Sequence, residues 1–447
     1  MDSYPTSLEV RGDSRVCRGG EVNMSRMIIN GGKPLSGEVE ISSAKNAVLP
    51  ALAACLVSAE ECVIQKVPRL RDVSVMIRII RALGGMVETE SDGSTSQTIR
   101  VNCRHLEPTA LGDELTRQMR SSIFIMGALL ARTGMVRLAH PGGCTIGHRP
   151  INMHLEGLRS LGAHVEEEHG FITARADDGL QGAKVHLDFP SVGATENLML
   201  GGVLARGVTM IHNAAKEPEI VDLQRFLRQM GARIVGAGTG VIRIEGRQSL
   251  KGAVHNPIPD RIEAGTFAAA AAATGGRVRL LGARPHHMEA VLAKLQLAGV
   301  SIDSQGSMLE ISGPARPEPC DLKTQPYPGF PTDMQNQFLA LLLRSTGISI
   351  IKESMFENRF KVADEFRRMG ADVRVEDRLA IVRGVRRLTG ATVEGDDLRG
   401  AAALVVAGLS ADGQTQLESL HHLDRGYAAF TEKLTALGAE VEREGGS

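Results

Sequence analysis

The sequence predicts an α/β protein of two domains, each built from three copies of one repeating unit. A tag that is typical of a helix end, usually Leu or Met, then Gly, then a small residue, occurs six times. The six glycines lie 78, 69, 68, 71 and 68 residues apart, a regularity that indicates internal repeats. A chain of 447 residues suits two large domains or about three ordinary ones. The glycines are Gly84, Gly162, Gly231, Gly299, Gly370 and Gly438.

An amphipathic helix is predicted before each tag. The stretches IVDLQRFLRQ, before Met230, and YAAFTEKLTA, before Leu437, carry apolar residues at positions i, i+3 and i+4. The glycine of the tag is then the residue that ends the helix, because glycine adopts a positive φ without steric cost.

Each unit also contains a second helix, which is apolar nearly all round. A helix without a polar face must be buried on every side. Each unit is therefore predicted to run strand, helix, strand, buried helix, strand, with the sheets covering the inner helices from outside. Two prolines in NPIPD, near residues 256–259, mark the break between units three and four. The six inner stretches are AVLPALAACLV, SSIFIMGALLA, NLMLGGVLA, GTFAAAAAAT, NQFLALLL and GAAALVVAGL.

Composition excludes several classes of function. The net charge is −1, aromatic residues make up 3% and there is no Trp, so nucleic acid is not an expected ligand. No apolar run approaches the length of a membrane span and the N-terminus has no signal-peptide core, so we expect a cytoplasmic protein. Six cysteines without zinc spacing predict neither a disulfide framework nor a metal site, and no cofactor is expected.

Polar residues interrupt the repeat at the start of each buried helix. Free N–H groups and the helix dipole make such ends favourable for anions. Six ends in register between two domains predict a pocket for a highly charged anion, although each residue alone could be a helix cap or a surface charge. The residues are Lys45 and Asn46, Arg120, residues 191–195, Asp260 and Arg261, Asp333, and Asp397 with Arg399.

Two segments depart from the repeat. The loop PGGCTIGHRP, residues 141–150, has three glycines around Cys144, and His148 or Arg149 could lower the pKa of this thiol or hold a phosphate. Cys144 is thus predicted to be a reactive group on a lid, the alternative being a small apolar residue in a turn. Residues 1–26 precede the repeat; they are predicted to be disordered or to lie before a true start at Met24 or Met27.

Several motifs resemble those of the UDP-N-acetylglucosamine 1-carboxyvinyltransferases, the enolpyruvyl transferases that begin peptidoglycan synthesis. The resemblance covers about residues 27–442 and implies an EPSP synthase-like fold, with two inverse α/β barrels built from six repeats around a cleft. It further implies one domain over residues 45–257 and a second formed by residues 27–44 with 258–447. The motifs include AKNAVLP, PGGCTIGHRP, SVGAT, PDRIEAGTF, FPTDMQ, FENRF, DDLR and LDRGY.

The resemblance also implies the reaction. The enolpyruvyl group of phosphoenolpyruvate passes to the 3′-hydroxyl of UDP-N-acetylglucosamine, and phosphate leaves, by addition and then elimination. Cys144 matches the loop thiol that donates a proton, forms a covalent adduct and is alkylated by fosfomycin. Asp333 matches the base, and Asp397 a carboxylate of later proton transfers, unless it only pairs with Arg399.

Substrate contacts follow from the same resemblance. Phosphoenolpyruvate is expected to face the cations Lys45, Arg120, Arg149 and Arg425, with Arg399 nearby and Arg359 balancing further charge. Asn46 would fix the sugar or the adjacent lysine. The expected contacts of UDP-N-acetylglucosamine are Arg149, Pro150, Ile151, Asn152, Met153, Ser191, Val192, Gly193 and Met355.

Two rival functions remain open. A shikimate-pathway enolpyruvyl transferase shares the implied fold and phosphoenolpyruvate chemistry but lacks the cysteine lid. A catalytically silent paralogue would bind the UDP-sugar without turnover. The sequence predicts no oligomeric state.

Overall fold

A computed structural model describes residues 25–93, 95–107, 111, 113–116, 118–141, 146–147 and 150–445. Cys144, His148, Arg149 and residues 1–24 of the expected N-terminal extension lie outside the described residues. Within them the helices are α1 (Lys45–Ala54), α2 (Arg71–Ala82), α3 (Asp113–Thr116), α4 (Ile125–Thr133), α5 (Asn152–Ser160), α6 (Val192–Gly202), α7 (Pro218–Gln229), α8 (Arg261–Thr274), α9 (Glu289–Leu297), α10 (Gln335–Leu342), α11 (Val362–Arg368), α12 (Leu398–Ser410) and α13 (Phe430–Ala436).

The strands of the described residues are short, and most have five residues. They are β1 (Arg26–Asn30), β2 (Ser36–Glu40), β3 (Cys62–Pro68), β4 (Met86–Ser91), β5 (Ser96–Asn102), β6 (Met135–Ala139), β7 (His164–Glu168), β8 (Phe171–Arg175), β9 (Lys184–His186), β10 (Val208–His212), β11 (Arg233–Val235), β12 (Val241–Glu245), β13 (Val254–His255), β14 (Arg277–Leu281), β15 (Ser301–Gln305), β16 (Met308–Ser312), β17 (Leu322–Lys323), β18 (Ile348–Lys352), β19 (Asp372–Glu376), β20 (Leu379–Arg383), β21 (Thr392–Glu394), β22 (Gln414–Glu418) and β23 (Glu440–Glu444).

The predicted inner helices are buried. They are α1, α4, α6, α8, α10 and α12, and every residue of α12 is buried. Contacts join α1, α4 and α6 to one another, and α8, α10 and α12 likewise. Close packing requires glycine at one point, because a Cβ on Gly127 would lie 2.1 Å from the carbonyl oxygen of Asn197. The prediction of helices without a polar face is therefore confirmed.

Small sheets accompany the helices, five with four strands and one with three in the described part. Each four-stranded sheet has one parallel pair and two antiparallel pairs, as in the order β9, β10, β12, β11. The three-stranded sheet has the order β6, β8, β7, and Leu111 makes a single parallel bridge to Leu138 where a fourth strand would lie.

The six tag glycines end their helices as predicted. Their φ angles lie between 82° and 95°, in the left-handed region that glycine enters freely. The chain can therefore reverse after each amphipathic helix and begin the next strand.

The N-terminal strands belong to sheets formed by the C-terminal part of the chain. β1 lies between β22 and β23, and β2 runs parallel to β14, whereas β13 pairs with β3. One hydrophobic core draws its residues from 48–250 with Ala428, and another from 27–41 and 262–439. Below, the first half means residues 45–257, and the second half means residues 27–44 with 258–445.

Ion pairs join the two halves. Arg261, which begins α8, donates from Nε to Glu219 of α7 at 3.0 Å, and Arg425 donates from Nε to Asp72 of α2 at 2.9 Å. Among the described residues no helix combines the length and the apolar character that crossing a membrane requires.

Candidate active site

The starts of several inner helices carry charged side chains that meet between the two halves. Lys45 is the first residue of α1, Asp333 lies in a 3₁₀ turn before α10, and Arg399 lies in the first turn of α12. Their partners come from α2, from the segment after β18 and from the 3₁₀ turn Leu423–Arg425. We call this group the central charge cluster; its members are Lys45, Asp72, Asp333, Arg359, Arg399 and Arg425.

One part of the cluster is centred on Asp72, which is 2% exposed. Its Oδ2 accepts a hydrogen bond from Lys45 Nζ at 3.3 Å, and its Oδ1 accepts one from Arg425 Nε at 2.9 Å. The carboxylate therefore ties the first turn of α1 to an arginine of the second half.

The other part is centred on Asp333. Arg359 Nη2 donates to its Oδ1 at 2.5 Å, and Arg399 Nη2 donates to its Oδ2 at 3.0 Å. Both arginines are 3% exposed. Each oxygen of Asp333 thus faces a buried guanidinium.

Electrostatics link the two parts. Burial would raise the pKa of Asp333, but the charges of Arg399, Arg359 and Lys45 outweigh it and hold this pKa far below its ordinary value. Burial lowers the pKa of Lys45, and Arg399 and Arg425 lower it further, against the opposing pull of Asp72 and Asp333.

The same balance holds at Asp72. Burial would raise its pKa, but Lys45 and Arg425 together keep the pKa below its ordinary value. Four cations therefore share two ionised carboxylates in a place where burial makes charge costly.

Asp397 is a helix cap. Its Oδ1 accepts from the backbone N–H groups of Arg399 at 2.9 Å and of Gly400 at 3.2 Å. The alternative in which Asp397 pairs with the Arg399 side chain is wrong, because that guanidinium extends to Asp333 and Tyr427 instead.

The expected nucleotide contacts of the first half lie together. Ser191 caps α6, its Oγ accepting from Ala194 N at 3.3 Å, and Val192 and Gly193 form the first turn. A Cβ on Gly193 would lie 3.1 Å from ring atoms of both His154 and Phe124, so the starts of α5 and α6 and the 3₁₀ turn Arg120–Phe124 adjoin.

The remaining expected residues lie around these elements. Pro150 is exposed, Ile151 is buried and caps α5, and Asn152 and Met153 form the first turn of that helix. Arg120 begins its 3₁₀ turn, and Asn46 follows Lys45 in α1 and is partly buried.

Ile146, which lies in the expected lid loop, contacts the second half. The carbonyl oxygen of Ile146 accepts from Asn358 N at 3.0 Å, within the FENRF motif that also holds Arg359. Met355, just before that motif, donates its backbone N–H to Glu353 Oε1 at 2.7 Å. The predicted reactive thiol of Cys144 and the guanidinium of Arg149 lie outside the described residues.

Sequence reasoning missed Asp72 and did not use Tyr427. Asp72 sits in the first turn of an amphipathic helix, where an acid is ordinary, so only its pairing with Arg425 reveals it. Tyr427 ends the LDRGY motif, but its contacts with three inner helices could not be deduced from spacing. In the described part of the chain, no group of three or more His, Cys, Asp or Glu side chains could hold a metal ion.

Known proteins resemble this chain over nearly its whole length. The family model for EPSP synthase (3-phosphoshikimate 1-carboxyvinyltransferase) matches residues 29–434. UDP-N-acetylglucosamine 1-carboxyvinyltransferase 1 of Symbiobacterium thermophilum is 54% identical over 418 residues, 94% of this chain and 95% of the relative. The protein of the same name from Carboxydothermus hydrogenoformans is 51% identical, over 95% of this chain and 99% of the relative.

Solved structures agree on the fold. The enolpyruvyl transferase NikO from Streptomyces tendae matches with a TM-score of 0.85 at 25% identity, covering 95% of this chain and 100% of NikO. EPSP synthase from Acinetobacter baumannii matches with a TM-score of 0.72 at 19% identity, covering 94% of this chain and 100% of that one. The predicted EPSP synthase-like fold is confirmed. The chain belongs to the EPSP synthase family and, within it, to the UDP-N-acetylglucosamine 1-carboxyvinyltransferases.

Proposed function

We propose that this chain transfers the enolpyruvyl group of phosphoenolpyruvate to the 3′-hydroxyl of UDP-N-acetylglucosamine and releases inorganic phosphate. The central charge cluster is the observation that carries the proposal. It offers four cations against two carboxylates at the contact between the halves. Phosphoenolpyruvate brings a carboxylate and a phosphate, which such an excess of buried positive charge stabilises.

Lys45 and Arg425 are proposed to face the phosphate, together with Arg120 and Arg149. Asp72 holds the first two in place, with the Lys45 Nζ and Arg425 Nε atoms 3.3 Å and 2.9 Å from its oxygens. Because these two cations come from different halves, an anion between them favours closure of the cleft.

Asp333 is proposed to take the proton of the sugar hydroxyl. With both oxygens on arginines its pKa is far below the ordinary value, so the free carboxylate is a weak base. The substrate carboxylate is an alternative partner for Arg359 or Arg399. When one guanidinium turns to it, an oxygen of Asp333 is released and the pKa rises toward the range useful for catalysis.

The addition step needs an acid that protonates C3, and the elimination step needs a further proton transfer. The hydroxyl oxygen bonds to C2 of phosphoenolpyruvate while C3 gains a proton, which we assign to Cys144. In the second step C3 loses a proton and the C2–O bond to phosphate breaks, which restores the double bond and frees inorganic phosphate. Asp397 stands beside Arg399 at the start of α12 and is the candidate carboxylate for this later transfer.

The UDP part is proposed to lie along the first half. The start of α6 at Ser191, Val192 and Gly193 offers backbone N–H groups for a diphosphate. Pro150, Ile151, Asn152 and Met153 would line the nucleotide beside it, with Met355 on the opposite wall and Asn46 near the sugar.

Two broader proposals accompany the reaction. The domain boundaries are residues 45–257 for the first domain and residues 27–44 with 258–447 for the second, a division that the two hydrophobic cores support. The second proposal is that the enzyme acts in the cytoplasm.

The direct test measures inorganic phosphate after mixing the protein with both substrates, and with each omitted in turn. Release that requires both substrates is the expected result. A folded protein that binds UDP-N-acetylglucosamine but releases no phosphate would favour the silent paralogue instead. Release with shikimate 3-phosphate in place of the UDP-sugar would favour the shikimate-type alternative.

The role of Cys144 has its own test. Cys144→Ala should abolish turnover and labelling by fosfomycin, whereas Cys144→Asp should keep some turnover and escape labelling, because a carboxyl group can donate a proton but reacts poorly with an epoxide. Cys320→Ala is the matched control, since burial raises the pKa of that thiol and it lies outside the cluster. Normal turnover in Cys144→Ala would remove the thiol from the mechanism.

A further inference from the structure

Tyr427 lies at the centre of the second half and contacts all three of its inner helices. Its hydroxyl is 2.8 Å from Thr266 Oγ1 of α8, 3.3 Å from Gln337 Nε2 of α10 and 3.2 Å from Arg399 Nη1 of α12. Tyr427 is 3% exposed, and Thr266 and Gln337 are fully buried. A polar group in this position must exchange hydrogen bonds with its neighbours, because water is excluded.

The donors and acceptors of Thr266 and Arg399 fix the directions of their hydrogen bonds to Tyr427. The Thr266 hydroxyl donates to the carbonyl oxygen of Ile262 at 2.8 Å, so toward Tyr427 its oxygen can only accept. The phenol hydrogen therefore goes to Thr266. A guanidinium has donors and no acceptor, so Arg399 must donate to the phenol oxygen.

Arg399 is consequently held at two points. Nη1 donates to Tyr427 and Nη2 donates to Asp333 Oδ2 at 3.0 Å. The phenol is a neutral acceptor, so it orients the guanidinium without cancelling its charge, which a carboxylate in the same place would do.

The charged groups around this chain of contacts come from both halves. The charges of Asp333 and Asp260 raise the pKa of Arg399. The charges of Arg399, Arg359 and Lys45 lower the pKa of Asp333. Tyr427 is a neutral hydrogen-bonding group beside these charges. Its hydroxyl contacts the inner helices rather than the cleft.

We propose that Tyr427 is a positioning residue for the transfer reaction, which fixes Arg399 so that its Nη2 edge meets Asp333 and the anionic substrate. The proposal rests on the function proposed above. The core of the second half then affects the cleft directly, because its three inner helices set the angle of the Arg399 guanidinium through the phenol oxygen of Tyr427.

Kinetics of Tyr427→Phe test the assignment. We expect kcat to fall about tenfold because the guanidinium loses its fixed angle. The KM for UDP-N-acetylglucosamine should change by less than about twofold, since its expected contacts lie mostly in the first half. In an Arg399→Lys protein the same substitution should change kcat by less than about twofold, because the group on which it acts is gone. Full kcat in Tyr427→Phe, or losses that simply multiply in the double variant, would overturn the proposal.

Two variants of Thr266 test the same proposal if Tyr427→Phe does not fold. Thr266→Ser keeps the acceptor for the phenol hydrogen and should behave as the wild type. Thr266→Val removes that acceptor at nearly constant shape and should lower kcat in the same way as Tyr427→Phe. Equal kcat in the two Thr266 variants would overturn the proposal.

An optical test separates this proposal from the proposed function. The chain has no Trp and three Tyr, so Tyr4→Phe with Tyr327→Phe leaves Tyr427 as the one phenol. Adding phosphoenolpyruvate with UDP-N-acetylglucosamine should then change the tyrosine absorption, and Arg399→Lys should remove the change. A change without phosphate release keeps the positioning role and contradicts the transfer. Phosphate release without a change overturns the positioning role, and absence of both overturns both.

Discussion

The two halves repeat one unit, yet the buried glutamates of their inner helices have different surroundings. Glu196 lies in α6 of the first half and is 1% exposed, and among the described residues neither of its oxygens has a hydrogen-bond partner. Glu263 lies in α8 of the second half and is 2% exposed, but it accepts hydrogen bonds from Lys433 Nζ and from Ser42 N, each at 2.7 Å. Burial is the largest of the causes that raise the pKa of both groups, and only Glu263 has a cation, Lys433, that opposes it.

Other buried polar groups follow the same division. In the first half Asn197 of α6 accepts from Gly127 N of α4 at 2.7 Å and meets His154 Nδ1 of α5 at 3.2 Å, an arrangement that joins these three helices. In the second half Tyr427 and Arg399 lead to Asp333 at the cleft. In these inner helices the first half uses buried polar groups to pack helices and the second half also uses them to aim charge, whereas in α2 of the first half Asp72 pairs with cations at the cleft.

The largest expected effect comes from changing the carboxylate of Asp333 to an amide. Asp333→Asn removes the proposed base, so turnover should fall about 10²–10⁴-fold in a phosphate-release assay. It also removes the counter-charge of two buried arginines. Because the pKa of Asp333 lies below its ordinary value of 3.8, its pairing stabilises the fold above that pH, and the stabilisation is lost as the pH falls. The variant should lack this acid-side loss in urea unfolding.

Asp397→Asn makes the same change at the carboxylate that we propose for the later proton transfer. Asparagine caps helices about as well as aspartate, so α12 should keep its first turn. A large loss of turnover here would support proton transfer by Asp397, whereas turnover within about twofold of the wild type would limit it to capping. Unchanged turnover in Asp333→Asn would contradict the division between the halves.

The sequence predicted the repeated architecture because its signals are local. Each tag glycine needs only its own turn to adopt a positive φ, and each apolar helix shows its burial in its own composition. The charged helix starts were also visible, and Lys45, Asp333 and Arg399 do meet in one cluster. Asp72 could not be found, because its partner Arg425 is 353 residues away and only the mutual position of the halves joins them.

Glu196 was equally invisible in the sequence. It stands in an apolar helix directly after the SVGAT motif, where a glutamate could as well have faced the cleft. Among the described residues its oxygens have no hydrogen-bond partner, which depends on what the neighbouring elements place around them, and spacing carries no information about that.

The second-largest effect is expected when the same change, from carboxyl to amide, is made at Glu196 in the first half. The pKa of Glu196 lies well above its ordinary value of 4.5, with burial as the main cause and Glu219 and Glu217 as further ones. The folded protein therefore keeps this group protonated to a higher pH than the unfolded chain does, and its contribution to stability is complete below pH 4.5 and is lost as the pH rises toward the folded pKa. Glu196→Gln cannot ionise, so its stability relative to the wild type should increase by up to about 1.4 kcal/mol per pH unit in that window.

Urea unfolding of both proteins between about pH 4 and pH 7 measures this difference. Turnover should stay within about twofold of the wild type, in contrast to Asp333→Asn. Parallel stability curves would show that Glu196 is ionised and paired in the folded protein, and the comparison between the halves would then fail.

The smallest expected effect concerns the far ends of the inner helices. Arg344 follows α10 in the second half, and its Nη1 donates to the carbonyl oxygens of Ala273 at 3.5 Å and Ser410 at 3.3 Å, which end α8 and α12. Arg132 holds the matching place in α4 of the first half and lines a cavity of about 460 Å³; its Nε, like that of Arg344, has no hydrogen-bond partner among the described residues.

Arg344→Met should therefore lower the free energy of unfolding by about 1 kcal/mol, because two helix ends lose a donor and a favourable charge. Arg132→Met should change it by less than about 0.5 kcal/mol, since among the described residues no carbonyl oxygen accepts a hydrogen bond from this side chain. Urea unfolding at one pH compares the two variants directly. Equal losses would mean that Arg132 stabilises the first half as much as Arg344 stabilises the second half. The halves would then differ only at the cleft.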